Sequence, residues 1–320
     1  MKIALLDGFT LGYEQSQWDE FNKYGDLKIA EFNDSTPIKE VIDFIGDSEI
    51  ILTNKVRINK EIMDACPDIR MIQVLATGYN IIDVDYAKEK GITVCNIPSY
   101  STMSVAQHTI GLLLEVCLRI GHHDDEVHAG RWHESRAFSF WNYELIELDG
   151  KTLGIIGFGT IGKTVAKIAH DLGMRVLAYT PHPKEGFEDI VEFTDLDTVL
   201  KESDAITLHC LLSDKTFEII NKDNIAKMKD GVILINTSRG QVLNEADVTE
   251  ALKSGKISAA AVDVVSEEPP KRNNPLFTAP NCIITPHIAW ATKEARQRLM
   301  DVCYDNVEKF IDGKTVNAVN

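Results

Sequence analysis

His287 lies in the stretch TPHIAW, residues 285–290, between a proline and a short apolar turn at the end of an apolar segment. A histidine there is either a packed core residue or a proton donor and acceptor working near neutral pH. Two other groups bear on the choice. Arg239 in ILINTSRGQVLN and Glu268 in DVVSEEPP also stand just past apolar runs, where ligands gather in open α/β sheets. A guanidinium in such a place can bind a 2-oxo acid through its carboxylate and carbonyl oxygens, a fork that lysine cannot copy. The plain alternative is a surface arginine in a turn. If Glu268 and His287 meet in space, the carboxylate favours the imidazolium, raises the histidine's pKa and fixes which ring nitrogen faces a substrate. Glu268, beside Glu267, could instead be solvated charge in a loop. Taken together the three would polarise a carbonyl, hold it and exchange a proton with it.

A hydride for that carbonyl has a candidate source in GFGTIG, where Gly157, Gly159 and Gly162 have GxGxxG spacing. The motif follows an apolar strand and opens the helical segment TIGKTVAKIAHDLG. Its glycines permit a tight turn, close approach of backbone to a pyrophosphate and close packing of helix on strand, with the helix N-terminus toward the phosphates. The next strand, RVLAY, should end in an acid for the adenosine ribose of NAD, or be followed by arginine for a 2′-phosphate. Thr180 stands there instead, in AYTPHP, with His182 and Lys184 nearby. NAD(H) is favoured on this reading and NADP(H) stays open.

These groups need parallel strands to carry them. In the first hundred residues KIALL, EIILTN, MIQVLA and ITVCN alternate with IKEVIDFIG, NKEIMDACP and DVDYAKEKG, each ending in Gly or Pro as helices tend to. After a long helix and the irregular GHHDDEVHAGRW and ESRAFSFWNYELIELDG, the alternation restarts with TLGIIGF, RVLAY, VEF, AITLHC, GVILINTS, SAAAVDVV and CIITPH. A last helical stretch spans 291–312. The pattern predicts α/β architecture with parallel sheets.

The 320 residues suffice for two domains, each with its own core. With 33 Lys and Arg against 49 Asp and Glu the net charge is -16, which repels a polyanion, and no basic cluster offsets it. No nucleic-acid partner is expected. Cys66, Cys95, Cys117, Cys210, Cys282 and Cys303 lie far apart with no CxxC pair, as expected for reduced thiols in the cytoplasm and not for a zinc ribbon. MKIALLDGF reads as a first strand because Asp7 arrives too early for a signal-peptide core. MSVAQHTIGLLLEVCLRI, 103–120, holds Gln107, His108, Glu115 and Arg119, so it reads as a buried or interface helix and no membrane partner is expected.

In order along the chain, VLATGYNIID, SVAQHT, LDGKTLGIIGFGTIG, LINTSRGQVLNEADVTEAL, AAAVDVVSEEP and TPHIAW resemble the D-isomer-specific 2-hydroxyacid dehydrogenases. The resemblance covers nearly the whole chain. It implies two Rossmann-like doubly wound parallel-sheet domains with a cleft between them. Residues 1–100 with 291–320 would form a discontinuous substrate domain, and 101–290 the dinucleotide-binding domain with a dimerisation arm. It implies that Arg239 binds substrate, His287 is the acid/base and Glu268 its partner. The backbone around Ala76, Thr77 and Gly78 would take the substrate carboxylate, and Asp263 the nicotinamide carboxamide. The expected cofactor set is Gly157, Phe158, Gly159, Thr160, Ile161, Gly162, Thr180, His209, Thr237, Ser238 and Asp263.

Within the family, FSFWNYELIELDGKTLGIIGFG, SVAQHT with Gln107, and PHIAWAT are most similar to the glycerate dehydrogenase, or hydroxypyruvate reductase, branch. The reaction this implies is reduction of hydroxypyruvate to D-glycerate, with glyoxylate, giving glycolate, as secondary substrate; D-lactate or another D-2-hydroxy acid is the alternative. ATGYN offers no basic group for a substrate phosphate, though Lys55 in LTNK could, and the chain ends soon after its last helix, unlike phosphoglycerate dehydrogenases that bear a regulatory domain. A dinucleotide-sensing interaction protein of the corepressor type is the rival from another class; this chain lacks the tails and basic surfaces such a protein would show.

HHDDEVH, 122–128, has metal-ligand residue types, yet neighbours on a helix point about 100° apart and seldom converge on one ion. No metal is expected. In the resembled family this region and the long helix form a homodimer interface, which makes Trp132, Phe138, Phe140 and Trp141 an aromatic arm. Trp141 is expected to reach toward the partner's substrate pocket.

Overall fold

A computed structural model describes residues 1–320. The chain forms two units, residues 1–101 with 291–320 and residues 102–290. The first holds strands β1 (Lys2–Leu5), β2 (Asp26–Ile29), β3 (Ile50–Thr53), β4 (Met71–Val74) and β5 (Thr93–Cys95), and helices α1 (Gln15–Asp19), α2 (Ile38–Ile45), α3 (Lys60–Ala65) and α4 (Val84–Glu89). The strands pair in parallel in the order β2-β1-β3-β4-β5. One face of this sheet, with Ala4, Ile51, Ile72 and Val94, packs on Val41, Ile45, Ile62 and Met63 of α2 and α3. The sequence signals four of the strands. Edge strand β2 is missed because DLKI, half-buried with Asp26 and Lys28 in it, has no continuous apolar run.

The second unit begins with α5 (Thr102–Leu118) and α6 (Ile120–His128) and continues through β6 (Thr152–Ile156), α7 (Thr160–Asp171), β7 (Arg175–Tyr179), β8 (Glu192–Phe193), α8 (Leu196–Glu202) and β9 (Ala205–Leu208). It closes with α9 (Lys222–Lys227), β10 (Val232–Asn236), α10 (Glu245–Ser254), β11 (Ile257–Val262) and β12 (Cys282–Ile284). All seven strands run parallel, in the order β12-β11-β10-β9-β6-β7-β8. The direction of winding reverses between β6 and β9, and in such sheets the crevice at the strands' C-terminal ends there binds ligands.

Alternate residues of each strand enter opposite cores. Ile155, Ile233, Ile235, Ala259 and Ala261 pack with Ala106 and Leu113 of α5 and Val165 and Ala169 of α7. Ile156, Leu234, Ala260 and Val262 pack on the other face with Val199 of α8, Ile225 of α9 and Leu252 of α10. A sheet covered on both faces needs apolar residues at both parities, which is why VILI and SAAAV read as unbroken runs. Burying each of the valine, leucine and isoleucine side chains among them contributes about 1.5–3 kcal/mol.

The apolar segment expected to run as one helix over 103–120 breaks at Arg119, whose φ of 51° ends α5 and starts α6 in a new direction. No single helix is long and apolar enough to cross a membrane. The last helix, α11 (Lys293–Ile311), belongs to the first unit and lies against β4. There the buried Asn306 amide donates to Gln73 Oε1 at 2.8 Å and to the Asn96 carbonyl at 3.0 Å. All six cysteines are free thiols.

Candidate active site

The glycine motif lies at the switch point. Gly157 follows β6 with φ 98°, a conformation L side chains avoid, and a Cβ there would come within 2.4 Å of the Cys210 amide nitrogen past the end of β9. Gly162 lets α7 close on the strand, since a Cβ there would stand 2.3 Å from the Gly157 carbonyl oxygen. A Cβ on Gly159, the N-cap of α7, would meet nothing within 4 Å. The motif therefore leaves open space in front of the first amides of a 12-residue helix, where an anionic group gains from the unsatisfied N–H groups and the helix dipole. This fits a dinucleotide pyrophosphate. His209, next to Gly157, hydrogen-bonds Thr207 Oγ1 at 2.9 Å through Nε2. Desolvation pushes its pKa down to about 3, so the ring beside the glycine loop is neutral at physiological pH.

The ends of β10, β11 and β12 stand in register, Asn236 beside Val262 and Val262 beside Ile284. Each strand delivers one of the groups singled out in the sequence. Beyond β10 the Asn236 side chain shapes the turn: its Oδ1 accepts from the Ser238 amide at 3.0 Å and hydroxyl at 2.9 Å, and its Nδ2 donates to the Arg239 carbonyl at 2.9 Å. Arg239 itself is exposed. Gly240 lies so close to the loop after β11 that a Cβ would stand 1.9 Å from the Val265 carbonyl carbon, and Gln241 Nε2 donates to Ser266 O at 2.7 Å. The loop bearing Arg239 and the one leading to Glu268 are thus packed backbone to backbone.

Glu268 and His287 meet. Nδ1 of His287 stands 2.6 Å from Glu268 Oε2, and Glu268 Oε1 accepts the Val265 amide at 3.1 Å, which fixes the carboxylate's orientation. Both side chains are about one-third exposed, 30% for His287 and 34% for Glu268. His287 has φ 55°, left-handed backbone that costs about 1–2 kcal/mol for a residue with a Cβ. Asp263, at the end of β11, holds it there. Its carbonyl accepts the His287 amide at 2.7 Å, while Oδ1 accepts from Ile288 N at 2.9 Å and Oδ2 from Ala289 N at 2.8 Å. Thr285 Oγ1 also donates to Oδ1, at 2.6 Å. Burial raises the Asp263 pKa, but hydrogen bonds from His108, Thr285, Ala289 and Ile288 outweigh it and leave the carboxyl below its usual range.

With Nδ1 committed to the carboxylate, Nε2 of His287 is the nitrogen left to exchange a proton with a substrate oxygen. Of the remaining sequence-derived residues, Thr180 follows β7, and its Oγ1 accepts the His182 amide at 3.4 Å. Thr237 Oγ1 lies 2.8 Å from Thr109 Oγ1 of α5. In the first unit the turn of Ala76, Thr77 and Gly78 follows β4, where Ile97 N donates to Ala76 O at 3.0 Å and Thr77 Oγ1 to Ile97 O at 2.8 Å. The histidines of HHDDEVH are engaged within α6 and the arm after it: His123 Nδ1 contacts Arg119 O at 2.8 Å, and His122 Nε2 contacts Asn142 Nδ2 at 2.9 Å. Phe138 and Trp141 in that arm are 91% and 66% exposed.

Asn236, Gly240, Ser104, His108 and Thr285 escape a reading confined to chemistry-bearing residues. The signals present are the N-x-S of NTS, which favours an Asx turn, and the polar positions of SVAQHT in an otherwise apolar helix.

The family model described as D-isomer specific 2-hydroxyacid dehydrogenase, NAD binding domain, matches residues 110–289. A hydroxypyruvate reductase of Blautia hydrogenotrophica is 51% identical over 321 residues, covering 100% of both chains. A glycerate dehydrogenase of Methylorubrum extorquens is 41% identical over 320 residues, covering 99% of this chain and 98% of its own. Among solved structures, a D-lactate dehydrogenase from Aquifex aeolicus, complexed with NAD and lactic acid, superposes with a TM-score of 0.84 at 31% identity, covering 98% of this chain and 96% of its own. With the glycine motif at the switch point and Arg239, Glu268 and His287 past adjacent strand ends, these matches show that the chain belongs to the D-isomer specific 2-hydroxyacid dehydrogenase family.

Proposed function

We propose that the chain reduces hydroxypyruvate to D-glycerate, reversibly, with glyoxylate as a second substrate and NAD(H) preferred over NADP(H). The observation that carries this reading is the 2.6 Å contact between Glu268 and His287 in a member of this family. Full-length similarity to a hydroxypyruvate reductase and a glycerate dehydrogenase supports the choice of substrate.

The nicotinamide, when bound, supplies the hydride. Gly157, Phe158, Gly159, Thr160, Ile161 and Gly162 cradle the pyrophosphate, with Thr180, His209, Thr237, Ser238 and Asp263 completing the dinucleotide site. Arg239 holds the substrate and stabilises the negative charge that grows on the carbonyl oxygen, aided by its fixed turn. His287 Nε2 donates the proton to that oxygen. Glu268 stabilises the imidazolium before transfer, and the neutral ring then regains a proton from solvent. The amides around Ala76, Thr77 and Gly78 take the substrate carboxylate. Thr180 offers no positive charge to a 2′-phosphate, which supports the preference for NAD(H).

We also propose a homodimer through α6 and the aromatic arm that follows it, with Trp141 entering the partner's substrate pocket. Six free thiols suit a reducing cytoplasm. Oxidation of NADH and of NADPH, followed side by side with hydroxypyruvate, glyoxylate, pyruvate and oxaloacetate, tests the reading. Fastest turnover with hydroxypyruvate and NADH is the expected result. Faster turnover of pyruvate would make the protein a D-lactate dehydrogenase, and none with any of the four would overturn the assignment.

A further inference from the structure

One helix reaches both active-site loops of the second unit. Ser104 and His108, four residues apart on α5, share a face. Ser104 Oγ donates to the Ala289 carbonyl at 2.5 Å, just past His287. His108 Nε2 lies 3.1 Å from Thr285 Oγ1, just before it. Thr109, the next residue, contacts Thr237 beside the Arg239 turn at 2.8 Å. The helix thus grips the His287 turn at both ends and touches the neighbouring loop as well.

The direction of the His108 bond follows from its partner. Thr285 has one hydroxyl hydrogen, and it goes to Asp263 Oδ1 at 2.6 Å, so toward His108 the hydroxyl can only accept. His108 therefore carries its hydrogen on Nε2, and a chain of donors runs from His108 through Thr285 to Asp263. Asp263 is the charged group facing His108, with Oδ1 3.5 Å from Nε2. That carboxylate is 1% exposed and holds the His287 turn through both oxygens and its own carbonyl. A buried carboxylate must be met by donors to stay ionised.

We propose that His108 is a positioning residue for the reaction: by donating through Thr285 to Asp263, it keeps His287 in the left-handed turn that aligns its ring with Glu268. The inference rests on the proposed role of His287 as acid/base. It assigns a purpose to the histidine in SVAQHT, which stands on a core helix. His108 is partly buried, with 23% of its side chain exposed.

The test compares His108→Phe, which keeps a ring but removes the donor, with His108→Gln, which places an N–H near the lost Nε2. Displacing an acid/base by even a fraction of an ångström costs turnover, so His108→Phe is expected to lose roughly tenfold or more in kcat while the KM for NADH stays near the wild-type value. His108→Gln recovers most of that loss. Thr285→Val breaks the same chain and is expected to match His108→Phe, with the double variant no worse than either alone. In parallel, titration of the His287 imidazole followed by NMR in His108→Phe shifts in the same direction as in Glu268→Gln.

Wild-type kcat and an unmoved His287 titration in His108→Phe would overturn the proposal, as would equal losses in the Phe and Gln variants or additive losses in the double variant. Should His108→Phe fail to fold, near-normal kcat in Thr285→Val would overturn it on its own. If the wild-type protein turned over none of the 2-oxo acids, the proposed activity would fail, while the NMR comparison would still decide whether His108 positions His287.

Discussion

Glu268 Oε2 lies 2.6 Å from His287 Nδ1, and the backbone amide of Val265 holds the other carboxylate oxygen at 3.1 Å. Both side chains are about one-third exposed. Glu268→Gln keeps the shape and a hydrogen bond but removes the charge that favours imidazolium. Reduction in that variant is expected to fail at a lower pH than in the wild type, while the low-pH rate changes little. His287→Ala removes the proposed proton donor and is expected to lower kcat by about 10²–10⁴ without weakening NADH binding. Overlapping pH–rate profiles for Glu268→Gln and wild type would show that the contact has no part in proton transfer.

Gly157 and Gly159 should respond to the same substitution in different ways. A Cβ on Gly157 would stand 2.4 Å from the Cys210 backbone nitrogen at φ 98°, so Gly157→Ala strains both backbone and packing. It is expected to cost roughly 3 kcal/mol or more of stability, seen as a lower Tm. A Cβ on Gly159 meets open space, so Gly159→Ala should fold with a near-normal Tm. Its methyl group intrudes where the pyrophosphate approaches, so NADH affinity is expected to drop roughly tenfold or more. Normal NADH affinity in Gly159→Ala would mean that the dinucleotide does not run past this helix end.

Much of this was legible in the chain because each local signal agreed with the fold. The inner strands of the larger sheet stand out as apolar runs, since a parallel sheet covered on both faces needs them, whereas edge strand β8, Glu192–Phe193, shows only as the short VEF. The glycine motif and the three strand-end groups were legible for a related reason: chemistry restricts residue type at fixed offsets from strand ends. Edge strand β2 has one face half-solvated and gave no run to find. The break at Arg119 was hidden because the residues on either side are all compatible with helix. The supporting side chains His108 and Thr285 were the hardest to find, because the hydrogen bond between them spans more than a hundred residues and no periodicity reports such a contact.

Thr180 gives the cofactor preference a direct test. It follows β7, where an acid would hydrogen-bond the ribose of NAD and repel a 2′-phosphate. Thr180→Asp is expected to leave NADH turnover close to normal and to raise the KM for NADPH roughly tenfold or more, one poorly placed charge being enough for that change. Thr180→Arg should move the ratio the other way. If neither changes the NADH to NADPH ratio, the ribose lies elsewhere and the strand-end assignment is wrong.

Asp263 links the architecture of the turn to pH. Its hydrogen bonds from His108, Thr285, Ala289 and Ile288 outweigh the burial that would raise its pKa, and hold it below the ordinary 3.8. At a pH near that value the unfolded chain therefore binds more protons at this group than the folded one. The stabilisation is complete above 3.8 and is lost as the pH falls through the lower folded value. Asp263→Asn removes it at every pH and also turns an amide N–H₂ toward donors, leaving buried groups unpaired at about 1–3 kcal/mol. The variant is expected to melt well below the wild type at about pH 7, with the gap narrowing only as the pH falls below about 4. Thermal midpoints of the two proteins across that range decide the matter: a gap that does not narrow would mean that Asp263 contributes no pH-dependent stability, and that the turn bearing His287 is held by geometry alone and not by a buried charge.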